Sequence, residues 1–130
     1  MQRSVSWGIL VLRILCFVLC ISLVICVTVQ VFLAGMALFA DSGYWSAHRR
    51  FVHVFSELPL LLLLFSFLAR LPAHLRWGVG ATLLLLWGQY ALAHIRGPVG
   101  ALHPVMGMVL WGVLLWLTVR VWQLVRQDTA

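Results

Sequence analysis

From Ile14 to Ala40 the chain carries no charged side chain. About 20 apolar residues wound as a helix already cross the hydrocarbon of a bilayer. A backbone in lipid must satisfy its own polar groups, so such a run can be a helix and little else. Further apolar blocks follow, and hydropathy predicts four helices at about 7–39, 46–69, 75–95 and 104–122. Charged residues make up 9% of the 130-residue chain. A soluble domain carries about 25%, so the composition reads as an integral membrane protein bound by the lipid bilayer.

The expected connections are short: ADSGYW, RLPAH and RGPVGALH. Pro72, Gly97, Pro98 and Gly100 break the last two. Short links make successive helices antiparallel, so the expected fold is all-α: an up-down-up-down four-helix bundle forming a single transmembrane domain over 1–130. Arg3, Arg13, Arg70, Arg76, Arg120 and Arg126 fall on one side, and Arg49, Arg50 and Arg96 on the other. That asymmetry predicts both termini in the cytoplasm, with Arg13 snorkelling from inside the first helix. The location expected is the inner (plasma) membrane of a prokaryote. Trp7, Trp77 and Trp122 fit the inner boundary and Trp45 the outer one. The net charge of +6 is spread singly or in pairs around apolar blocks, which argues against nucleic acid as a partner. The first apolar run is too long for a secretory signal and is read as a retained anchor. Cys16, Cys20 and Cys26 lie within it, where they serve as small packing residues rather than a disulfide framework.

Polar residues gather at one end. His48 and His53 open the second helix, His94 closes the third and His103 precedes the fourth; only His74 lies at the opposite end. Gln30, Glu57, Gln89 and Tyr90 share the outer bias. Singly, each has an ordinary explanation: a glutamine joins helices, a histidine meets headgroup water, and Glu57 answers backbone groups freed by Pro59. Together they point to an internal site, because polar groups in a bilayer are costly and face the bundle interior.

Histidines on separate helices can hold a haem iron axially, with the helices burying the porphyrin. Val52 and Gly107, one turn beyond His48 and His103, and Gly35 on helix one would leave room for the ring. Arg49, Arg50 and Arg96 would meet its propionates. Pro104, without a backbone donor, suits the first turn of helix four and orients His103. His48 and His53 are about 140° apart around a helix, so they cannot face one centre. Helix two therefore offers His48 with Val52 or His53 with Glu57. His94 and His103 are the corresponding alternatives on the other side.

QVFLAG (Gln30–Gly35), AHR (Ala47–Arg49), Gln89 and ALHPV (Ala101–Val105) resemble a family of small four-helix prokaryotic membrane proteins known as a domain of unknown function. The resemblance selects Gln30, His48, Gln89 and His103. The chain departs from the family pattern at Val52, near a family glycine, and at Met106, near a family asparagine. More loosely, the arrangement is similar to the haem-binding four-helix halves of haem A synthase, which carry histidines on helices two and four near the outer face, one in an HR motif. His48-Arg49 and His103 lie at comparable places, and this similarity implies b-type haem held by two histidines.

Three functions follow as expectations. The first is a small membrane cytochrome or haem-handling protein with His48 and His103 as ligands, working with a membrane redox partner. The second is a non-catalytic accessory or structural protein in which Gln30, His48, Gln89 and His103 form a polar network without cofactor. The third is a quinone or proton pocket at the outer face built from His53, Glu57 and Tyr90. Copper(I) on Met36, Met106 and Met108 is a weaker variant. The chain carries no Gly-rich phosphate loop, HExxH or supported Ser/His/Asp set, so an enzyme is not the expected class. Trp111 and Trp116 are candidates for a homo-oligomer contact.

Overall fold

In the computed structural model, residues 5–129 are described; Arg3, counted among the topology signals, lies outside them. The described chain is helical and contains no strand. It forms α1 (Trp7–Phe39), α2 (Tyr44–Phe55), α3 (Leu58–Leu68), α4 (Ala73–Ala93) and α5 (Leu102–Thr129). Three stretches are long and apolar enough to cross a membrane: Trp7–Phe39, Tyr44–Leu68 and Leu102–Thr129. The 21-residue α4 is not among them. His74, Arg76, Gln89 and its glycines dilute its apolar content.

The expected second helix begins earlier and is broken. Asp41 accepts the Gly43 N–H on Oδ1 at 2.7 Å, and its carbonyl accepts from Tyr44 at 3.0 Å. This side-chain turn starts α2 at Tyr44. The break falls at Ser56–Glu57 because Pro59 has no N–H to offer the carbonyl of Phe55 and its ring crowds that carbonyl. Leu60 and Leu61 both donate instead to the Glu57 carbonyl, at 3.1 and 3.2 Å. The fourth span is longer than expected and runs to Thr129.

Arg70 ends α3 in the left-handed region, at φ 51°. The Leu71 N–H reaches the Ser66 carbonyl at 3.0 Å and the Arg70 N–H reaches Phe67 at 3.0 Å, while Leu71 is buried. This is the reversal in which glycine is favoured, because a Cβ costs about 1 kcal/mol there. Arg70→Gly should therefore raise stability by up to about 1 kcal/mol, read as a higher thermal midpoint in detergent.

α1 packs against α2, α3 and α5, and α4 packs against α3 and α5. Between α1 and α5, Arg13 meets Asp128, Phe17 meets Trp122 at 5.0 Å between ring centres, and Thr28 accepts from Trp111 Nε1 at 3.1 Å. The core is made of Cys16, Cys20, Leu23, Leu62, Leu75, Val79, Leu114, Leu117 and Val121. Cys16 and Cys20 are free thiols packed side by side along one face of α1. The two fully buried hydroxyls bond their own helices: Ser66 to the Leu63 carbonyl and Thr82 to that of Val79. Large apolar side chains such as Phe32, Leu64, Leu84 and Val119 remain exposed on the outside, which is compatible with a membrane protein.

Close approach between α4 and α5 depends on Gly78. A Cβ there would lie 2.6 Å from the Trp116 ring and 3.0 Å from Leu117. Gly78→Val should cost about 1–3 kcal/mol by overpacking, measured as a lower unfolding midpoint.

Arg13 does not snorkel. Its side chain is 11% exposed and its guanidinium meets both oxygens of Asp128, at 2.6 and 2.8 Å. Its Nε also donates to the Ala69 carbonyl at the end of α3, at 3.2 Å. One arginine thus joins α1, α3 and α5, and its charge is met inside the protein by Asp128.

Candidate functional site

At the opposite end of the bundle, His48 sits in the second turn of α2 and His103 in the first turn of α5. The chain returns to α5 through a tight loop that uses Gly97 at φ 83° and Gly100, whose Cβ would run into the Ile95 carbonyl. The His103 N–H closes that loop on the Gly100 carbonyl at 3.0 Å. Both imidazoles are half-buried. Their ring centres are 6.5 Å apart and their planes 64° from parallel.

Each ring is anchored in the same way. His48 Nδ1 lies 3.0 Å from the Gln30 main-chain carbonyl on α1, and His103 Nδ1 lies 3.1 Å from the Gln89 carbonyl on α4. A carbonyl only accepts, so Nδ1 of each ring carries the proton. In the neutral ring this leaves the lone pair on Nε2, the atom that binds a metal. Were a haem iron bound here, His48 and His103 are the residues that would hold it.

Gln89 also donates from Nε2 to the His103 carbonyl at 2.9 Å, so these residues exchange two hydrogen bonds between α4 and α5. Gly107 does not clear a path for a porphyrin edge. A Cβ there would lie 3.2 Å from Gln89 Nε2, so its space is given to the amide. Gly35, by contrast, faces open space. Gln30 Oε1 is the one buried side-chain polar atom without a partner among the described residues. An unmet buried acceptor costs about 1–3 kcal/mol. A bound group carrying an N–H or O–H would relieve it. Arg49, Arg50 and Arg96 are exposed nearby in sequence or at the same end.

The other candidates go elsewhere. His53 lies beside Tyr90, with ring centres 6.0 Å apart, and His94 bonds the Tyr90 carbonyl at 2.7 Å, capping α4. Of the methionines, Met106 packs over Gly88 and Met108 is exposed. Among the described residues, no group of three or more His, Cys, Asp or Glu could hold a metal ion. Trp45 was not legible as a site residue, although it lies three positions before His48 on the same face. It meets the His48 ring edge-on at 5.7 Å.

Residues 30–96 match a family of unknown function (DUF6220). Neither the curated proteins nor the solved structures provide a match. The resemblance to haem A synthase finds no support among them.

Proposed function

The chain belongs to the DUF6220 family of unknown function, and we propose that it is a small integral membrane protein holding b-type haem between His48 and His103. The observation that carries this reading is the paired geometry: two imidazoles from different helices, 6.5 Å apart, each with Nδ1 tied to a neighbouring helix's carbonyl. Those anchors fix the tautomer and ring orientation that an axial ligand needs. Haem, when bound, supplies reversible one-electron transfer. The chain's part is to present the two Nε2 atoms, to exclude water with α1 and α4, and to offer Arg49 to the propionates.

The same reading takes the protein as a four-span, up-down-up-down bundle of a prokaryotic inner membrane, with both termini cytoplasmic. The contacts of Arg13 with Asp128 and of Thr28 with Trp111 support opposed directions for α1 and α5. With Arg13 paired internally, Arg3, Arg70, Arg76, Arg120 and Arg126 still outnumber Arg49, Arg50 and Arg96 on the cytoplasmic side.

The test is a reduced-minus-oxidised spectrum of the protein purified in detergent after expression with added haem precursor. A b-type difference spectrum is expected. A protein that stays colourless, and remains so after reconstitution with haem, would overturn the proposal. One observation favours a cofactor-free reading: Gln89 fills the space at Gly107 and latches α4 to α5 through His103. Under that reading the colourless protein loses α4–α5 contact when Gln89 and His103 are both replaced by alanine.

A further inference from the structure

The break between α2 and α3 opens a groove on the outside of the bundle. His53, Ser56, Glu57, Leu60, Leu83, Leu86, Trp87 and Tyr90 line about 530 Å³ of it. A second, apolar trough of about 590 Å³ continues along α3 past Leu60, Leu61, Leu64 and Phe67. Glu57 and Leu60 belong to both. The first volume lies in the range of small-molecule sites, roughly 300–1,000 Å³.

His53 and Glu57 are exposed on this outer face. Leu86 and Trp87 lie six to seven residues before the end of α4. At a rise of 1.5 Å per residue they lie about 10 Å in from that end, whereas Tyr90, with His53 beside it, lies nearer the end of α4. Hydrogen-bonding side chains at one end of an apolar groove suit an occupant with a polar head and apolar length beyond it. No lysine or arginine lines either trough, and one carboxyl does. That charge pattern rejects a phosphate headgroup. It suits a neutral ring carrying carbonyl acceptors, with His53 and Tyr90 as donors, and a long apolar tail laid along Leu60, Leu64 and Phe67.

We propose that this groove binds a membrane quinone, with its ring against His53 and Tyr90 and its isoprenoid tail in the α3 trough. The inference needs the helices to span the membrane and is independent of haem at His48 and His103.

The test uses the full chain in nanodiscs of phosphatidylethanolamine and phosphatidylglycerol, with a photoactivatable azidoquinone as probe. Label is expected on peptides containing residues 53–60 and 83–90, displaced by unlabelled quinone. Tyr90→Phe should lower the yield about five-fold by removing one hydrogen bond. Val119→Ala, on the exposed face of α5, should leave it unchanged. The wild-type map stands even if a variant misfolds. Label scattered over the outer faces of α1 and α5, or displaced equally by added phospholipid, would overturn the proposal. So would a dimer crosslinked through Leu60→Cys that shuts out the probe, which would assign the groove to a second copy of the chain.

Discussion

His103→Ala is expected to abolish the b-type difference spectrum of the purified protein, and His48→Ala to do the same. Each would supply one of the two nitrogens that hold the haem, and the other histidines at this end are engaged elsewhere. His53 is turned toward Tyr90, and His94 is spent on the end of α4. His53→Ala and His94→Ala should therefore keep the full signal. The glutamines give a sharper expectation. The anchors of both rings are the main-chain carbonyls of Gln30 and Gln89, not their amides. Gln30→Ala and Gln89→Ala leave those carbonyls in place, so both should retain haem. Gln89→Ala also empties the space at Gly107 and removes the bond to the His103 carbonyl. Haem retained in His103→Ala would sink the ligand assignment. Haem lost in Gln89→Ala with the helices still packed would mean that the amide itself belongs to the site.

The second large effect lies at the other end. Arg13→Ala should destabilise the protein by about 3–5 kcal/mol, because it strands a carboxylate that is 7% exposed. It also removes the donor to the Ala69 carbonyl at the end of α3. Asp128→Asn should cost less, since an amide oxygen can still accept from the guanidinium. The double variant Arg13→Met with Asp128→Leu should recover most of the loss, because apolar residues of similar volume replace buried ion pairs at little cost. Unfolding midpoints in detergent measure all four proteins. An Arg13→Ala variant as stable as the parent would show that the pair is solvated and contributes little.

Much of the helical layout was legible because lipid leaves a backbone few choices. The long apolar blocks, the proline and glycine breaks and the polar bias toward one end all follow from local composition. Exact ends were less legible. Asp41 starts α2 early through a side-chain turn, and Pro59 splits the span because its ring excludes the preceding carbonyl. Helical spacing separated His48 from His53 but could not choose between them, since either face of an isolated helix can turn inward. Arg13 was read as a surface charge because Asp128 lies 115 positions away, a separation no periodicity detects.

By itself the sequence determined that this chain is helical, that it is built for an apolar solvent, and that its histidines and amides collect near one end. Those properties depend on residues a few positions apart. Tertiary structure alone decided which imidazoles meet, which carbonyls hold them, and where Arg13 finds its carboxylate. Each of these depends on the rotation of one helix against another, and that rotation is settled by side-chain fit at contacts such as Gly78 with Trp116.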